Sequence, residues 1–282
     1  MLAEILTDIS ARISSYSFRR KGDVKDDLRN ELNQLFMAWY TKLSSLGLVR
    51  MYTLNYDRNF KMLAKATGVD AFEGFKDHKD ELGDRKLDLH RILTDIDSPV
   101  HYNLHGSTHW QVHPRDEYTQ LINPWISLTP FHSFEMNSSE STVAQVDRGR
   151  SFQVSNIISG YQKSHKSLIS PFRQMQAAFD RDCMVADEII VIGYSLGDYH
   201  INSSIINALK ANQKVKIHLI DPIYSGKQGY DILVQRKIKI LSDLFHFKRT
   251  ELVYSDDNHT CSYFEDRLCV TSTGFAEFLR YV

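Results

Sequence analysis

EIIVIGYSLGDYHINSSI, Glu188 to Ile205, is the stretch on which the reading of the fold turns. After Glu188 comes a continuous apolar run closed by Gly193, the pattern of a strand buried on both faces in a parallel sheet. Small residues then carry a turn, and from about His200 to Ala211 the pattern is helical. A strand that passes through a glycine-bearing turn directly into a helix is the repeating unit of parallel α/β sheets.

Further runs of the same kind lie on either side. Leu48 to Leu54 (LVRMYTL) reads as a strand ending at Asn55, Val100 to Leu104 (VHYNL) as one broken at His105-Gly106, and Val215 to Ile220 (VKIHLI) as one ending at Asp221-Pro222. Helices are expected over most of the first fifty residues, where Leu28, Leu32, Leu35, Phe36 and Trp39 share a face, and from Asp57 to Ala66 with a stop near Gly68. Others are expected over Pro171–Ala186 and Tyr230–Phe245, and the tail DRLCVTSTGFAEFLRYV suggests one more strand and helix.

Residues 70 to 98 read as loop with one short helix. Residues 107 to 170 carry Pro114, Pro124, Pro130 and the Ser-rich MNSSEST, and read as an irregular insertion or mobile lid. The expected architecture is one α/β domain over residues 1–282. It has a helical N-terminal segment (1–50), a Rossmann-like parallel sheet with helices on both faces, and the irregular inserted region. In such sheets ligands bind at the carboxyl ends of the strands. Four strand ends here carry residues of chemical interest: Asn55 with Asp57, His105 with Gly106, Gly193 with Ser195, and Asp221.

Composition removes several classes. With 282 residues, 42% of them hydrophobic and 24% charged, the chain is an ordinary globular protein. Its 34 basic and 35 acidic residues leave no global field for nucleic acid or anionic membrane. Arg19, Arg20 and Lys21 are followed closely by Asp23, Asp26 and Asp27, the pattern of a solvated mixed-charge face. Three scattered cysteines, Cys183, Cys261 and Cys269, form no C-x-x-C pair, so neither a zinc ribbon nor a disulfide framework is expected, and the setting reads as reduced and cytoplasmic. No run of about 18 apolar residues occurs, and the N-terminus lacks the pattern of a secretory signal. His101, His105 and His109 have i, i+4 spacing, but Gly106 and the β-leaning VHYNL argue against a helical metal site.

Gly193-Tyr-Ser195-Leu-Gly197 admits three readings. As G-x-S-x-G it matches the nucleophile elbow of serine hydrolases, with Asp221 and His259 as an acid and a histidine in the required order. As a glycine turn before a helix it is an anion cradle, with backbone N–H groups and the Ser195 hydroxyl donating to a phosphate. Alternatively Ser195 and Asp198 simply cap the following helix. Against the hydrolase, little chain follows Ser195, bulky Tyr199 and His200 crowd the turn, and Asn55 and Asp57 would have no role.

Taken in order, three segments resemble the sirtuins: Tyr52-Thr-Leu-Asn-Tyr-Asp57 resembles their T-x-N-x-D segment, Leu104-His105-Gly106 their L-H-G, and Gly193-Tyr-Ser195-Leu their G-[TS]-S-[LM] turn. The strand end at Ile220-Asp221 matches the place where sirtuins meet the adenosine. The resemblance spans about residues 50 to 225, and the variants YTLNYD, LHGS and GYSLGD are most similar to the sirtuin-like domains of bacterial antiphage defence. It implies hydrolysis of NAD+ to nicotinamide and ADP-ribose, with NAD as substrate and no metal. Sirtuin deacylases carry a zinc ribbon between L-H-G and the G-x-S turn, whereas here Gly106 to Ile192 contains only Cys183, which suits the defence group. The family also opens with a Gly-Ala-Gly phosphate loop. Only Gly22 and Gly47 precede Asn55, so that loop is expected either to lie upstream of this sequence or to be lost.

In that resemblance Asn55 orients water or the nicotinamide ribose, His105 accepts a proton, and Asp57 fixes the ribose or carboxamide. Gly193 and Ser195 hold the pyrophosphate, Asp221 holds the adenosine ribose, and Gly106 and Asp198 are counted with them as cofactor-binding residues. Imidazole ordinarily titrates near pH ~6.5, which suits a base role. So destructive an activity implies restraint, by a homo-oligomer or a defence-system partner protein. The alternatives are a non-catalytic module that binds NAD or ADP-ribose, and the Ser195 hydrolase.

Overall fold

Short apolar runs interrupted by polar turns form most of the expected strands, and the strands divide between two compact units, Met1–Ala178 and Phe179–Val282. The computed structural model describes residues 8–9, 11–13, 28–81, 83–113, 125–129, 143–147, 150–158, 168–222, 239, 243–245, 253–254, 260–263 and 267–282. The architecture is mixed α/β, with both parallel and antiparallel strands.

In the first unit, a helix at Glu31–Leu46 begins on Asn30, whose side chain accepts from the Leu32 N–H. It buries Phe36 and Tyr40, and Phe36 meets Phe60 of the next helix, Asn59–Ala66, at 4.9 Å. Between them runs β1 (Arg50–Thr53), inside the expected strand. Gly68, at φ +95°, follows the second helix where a stop was expected.

Residues 70 to 98 contain more than the expected loop and short helix. β2 (Phe75–Lys79) and β3 (Arg85–Leu87) form an antiparallel pair, followed by a helix at Leu89–Thr94 capped by Asp88. β2 reads FKDHK and buries only Phe75, so its sequence lacks the alternation that marks a half-buried strand. It is a charged edge strand, a composition that discourages further pairing.

β4 (Val100–Asn103) is buried throughout and pairs in parallel with β1, from Arg50↔Val100 to Thr53↔Asn103. Beyond it the expected irregular region proves partly regular. β5 (Trp110–His113) and β6 (Trp125–Leu128) complete an antiparallel sheet in the order β2-β3-β6-β5, and β7 (Val143–Asp147) and β8 (Arg150–Gln153) form a hairpin. Trp110 anchors the core of this unit, with Phe75 at 5.7 Å and Phe172 at 5.4 Å between ring centres. Pro114, Pro124, Pro130 and the Ser-rich segment lie outside the described residues.

Phe172 opens the helix Phe172–Val185, within a residue or two of expectation. In the second unit β9 (Glu188–Ile192) leads through Gly193 to the helix Tyr199–Ala211 and then to β10 (Lys216–Ile220). β11 (Val253–Tyr254), β12 (Thr260–Tyr263) and β13 (Leu268–Thr271) complete a sheet in the order β11-β12-β13-β10-β9. β9, β10 and β13 are parallel, while β12 runs antiparallel to β13. β9 is half-buried from Ile189 to Ile192, short of the two-sided burial its sequence suggests, because it is the edge strand of this sheet among the described residues. Arg267 donates to the carbonyls of Leu209 and Asn212, both at 2.6 Å, and so satisfies the end of the helix before β10.

The tail gives the expected strand, β13, and a helical turn at Phe275–Phe278. The helix expected over Tyr230–Phe245 lies mostly outside the described residues. Among the described residues, no helix is long and apolar enough to cross a membrane.

Candidate functional site

The register of β1 against β4 brings together two segments that are distant in sequence. With Thr53 opposite Asn103, both strands end at the same level, and Leu104 N–H still bonds to the Thr53 carbonyl at 2.9 Å. The chain after β1 bends through Asn55 and Asp57, while the chain after β4 turns through His105 and Gly106. All four residues therefore sit at the carboxyl end of one parallel pair.

Hydrogen bonds weld the two segments. Asn103 Nδ2 donates to the carbonyls of Asn55 and Asp57, both at 2.9 Å. The Tyr56 carbonyl between them accepts from Ser107 Oγ at 2.9 Å and from Thr108 N–H at 3.0 Å. A third segment closes over the turn: Ser107 N–H bonds to the Asn156 carbonyl at 3.0 Å, and Ile158 N–H to the His105 carbonyl at 2.7 Å. Tyr56 Oη reaches the Ile158 carbonyl at 2.9 Å, tying the bend to that segment too.

Gly106 takes φ +88°, and a Cβ there would collide with the Asn156 carbonyl. Glycine is therefore required twice over, by backbone conformation and by space. His105 is buried at 4% exposure, whereas Asn55 is exposed. Asp57 is buried and its Oδ1 accepts from the Asn59 N–H at 2.9 Å, at the start of the helix. Burial raises the Asp57 carboxyl above its ordinary range, with the Asn59 N–H offsetting part of the effect.

Behind the bend lies a charged cluster. Arg58 grips Glu73 with two bonds of 2.6 Å, and Lys61 is bound to Asp70 and to the Ala71 carbonyl. His101 on β4 is fully enclosed, and burial pushes its imidazole down to about 4, so it is neutral at ordinary pH. His101, His105 and His109 occupy a strand and turns, so no helix presents them on one face.

The second unit carries the other predicted residues. Gly193 leaves β9 at φ +58°, its N–H bonded to the Ile220 carbonyl at 3.0 Å, so Gly193 and Asp221 are neighbours at the carboxyl end of β9 and β10. Ser195 is exposed and its hydroxyl makes no hydrogen bond among the described residues. Leu196 takes φ +59°, a strained value for a residue with a branched side chain.

Two side chains hold this turn. Asn202 Nδ2 donates to the Leu196 carbonyl at 2.9 Å; Tyr194 Oη donates to the Asp198 carbonyl and accepts from the Asp198 N–H, both at 3.0 Å. Asp198 occupies the N-cap position without a side-chain capping bond, which leaves the capping alternative unsupported. His259, the histidine of the hydrolase alternative, lies outside the described residues.

Sequence reasoning missed Asn103, Tyr56, Ser107 and Asn202, the residues that hold the predicted ones. The one available signal was a polar Asn103 inside the otherwise strand-like VHYNL. No family model and no curated protein matches the chain.

Proposed function

We propose that the chain is a sirtuin-like NAD+ glycohydrolase of Rossmann-like type, an NAD-depleting effector in antiphage defence. The observation that carries this reading is the β1–β4 register, which sets the Asn55–Asp57 bend beside the His105–Gly106 turn at the carboxyl end of a parallel pair. Ligands of α/β sheets bind at such ends.

In the reaction the bond between C1′ of the nicotinamide ribose and the ring nitrogen breaks, and its electron pair neutralises the cationic ring. Nicotinamide departs without a general acid, C1′ acquires oxocarbenium character, and water attacks it. NAD+ and water give nicotinamide, ADP-ribose and one proton. The Asn55 amide orients the water or the ribose, His105 takes the proton, and Asp57 holds the ribose or carboxamide through its hydrogen-bonding oxygens. In the second unit taken by itself, the N–H groups of Gly193 and Asp198 are bonded within the chain, and those of Tyr194 to Gly197 between them precede a helix N-terminus and suit a phosphate. Asp221 suits a ribose hydroxyl.

The Ser195 alternative draws no support from the turn. The left-handed residue is Leu196 rather than the serine, and the hydroxyl has no histidine partner among the described residues.

Asn55→Ala tests the proposal with least disturbance, because this side chain is exposed. It is expected to abolish nicotinamide release from NAD+ while leaving the melting temperature unchanged. Undiminished release would remove the assignment.

A further inference from the structure

We propose that Asn103 is a positioning residue that fixes the Asn55–Asp57 bend against the strand leading to His105; its catalytic meaning rests on the glycohydrolase reading above. Asn103 is the last residue of β4 and is 3% exposed, a place where an apolar side chain would ordinarily be expected. Its amide nitrogen has two hydrogens, and both are committed, one to the Asn55 carbonyl and one to the Asp57 carbonyl.

Those carbonyls lie beyond the end of β1 and so outside the ladder that pairs it with β4. The carbonyl between them, of Tyr56, is taken by Ser107 and Thr108. Three consecutive carbonyls of the bend are therefore all held from residues 103 to 108, and a single side chain holds two of them. The distance between the predicted water-orienting residue and the predicted base is thus set through Asn103.

The test uses two variants of the full chain. Asn103→Leu keeps the branched outline, with bulkier methyl groups, and removes both donor hydrogens; Asn103→Asp keeps the shape and replaces the donor nitrogen with an oxygen. Hydrogen exchange read by mass spectrometry is expected to accelerate at least about tenfold across residues 54–58 in Asn103→Leu, and to stay unchanged across the helix Tyr199–Ala211. The kcat for NAD+ is expected to fall about 100-fold with KM changed less than about threefold, because a small misplacement of reacting groups costs rate rather than affinity.

Asn103→Asp adds a readout that simple structural loss would not give. Burial and two facing carbonyls raise the pKa of the introduced carboxyl, and its protonated form donates one hydrogen bond. Its relative kcat should therefore recover as pH falls, while that of Asn103→Leu does not. Should Asn103→Leu fail to fold, Asn103→Ser, which retains one donor, should show intermediate exchange.

Unchanged exchange across 54–58, or kcat and KM that move together, would overturn the assignment. A wild-type chain that releases no nicotinamide would instead remove the glycohydrolase reading, and the exchange measurement would still decide whether Asn103 positions the bend.

Discussion

Arg58 and Glu73 face one another as a two-pronged ion pair, Nε to Oε1 and Nη2 to Oε2, both at 2.6 Å, with the Glu73 side chain 5% exposed. The pair sits directly behind the Asn55–Asp57 bend, since Arg58 is the next residue. Burial by itself would raise the Glu73 carboxyl, but the Arg58 guanidinium, joined by Lys61 and His101, outweighs it and holds the carboxyl below its ordinary range. Glu73→Ala should therefore cost roughly 3–5 kcal/mol of unfolding free energy, because it strands a largely buried cation. Removing both partners in Arg58→Met with Glu73→Leu should recover most of that loss in urea melts; additive losses would contradict the pairing.

His101 predicts a pH dependence. Its folded-state pKa is about 4 against an ordinary 6.5, through burial first and then the Arg58 and Lys61 charges, with Glu73 opposing. Between those values the unfolded chain binds a proton that the folded chain refuses, so stability falls as pH drops from about 6.5 toward about 4. The loss is of the order of 2–3 kcal/mol, and Glu73 adds to it at the acid end. His101→Gln should flatten the slope above pH ~5 in denaturant titrations. An unchanged slope would mean that His101 is not the group responsible.

The glycines at the two strand ends should respond differently to alanine. At Gly193 nothing lies within 4 Å of a new Cβ, so Gly193→Ala should cost about 1–2 kcal/mol, the price of left-handed backbone alone. At Gly106 the same conformation is combined with a collision against the Asn156 carbonyl, so the cost should exceed that at Gly193 by about 2 kcal/mol or more. Thermal melts of the two variants side by side decide the point, and equal losses would contradict the clamp over the His105 turn.

Ser195 should resist a fluorophosphonate probe. Its hydroxyl has no hydrogen bond among the described residues, so nothing there draws off its proton. Stoichiometric labelling of the folded chain would revive the hydrolase alternative.

The strands at 50–53, 100–103, 188–192 and 216–220 were legible because each lies in a short run of aliphatic, aromatic or β-branched residues that closes within three residues on Asn55, Gly106, Gly193 or Asp221-Pro222. Gly106 and Gly193 were legible for the same reason, as turn glycines. β2 was not, because FKDHK buries one residue and shows no alternation. The regular strands of the inserted region were hidden by the prolines and serines around them. Nor could the sequence show that Thr53 lies opposite Asn103: strand pairing is non-local, and the role of Asn103 exists only once that register is known. The half-burial of β9 was misread because an apolar run does not reveal whether a strand will lie at the edge of its sheet.

The most direct test of the account incubates the purified chain with NAD+ and quantifies nicotinamide and ADP-ribose, with His105→Ala alongside. The account predicts equimolar release of both products by the wild-type chain, reduced by His105→Ala by about 100-fold or more, the scale of a lost general base. Equal release with and without His105, or none from a folded wild-type chain that NAD+ stabilises against heat, would contradict it, the latter leaving a nucleotide-binding module in its place.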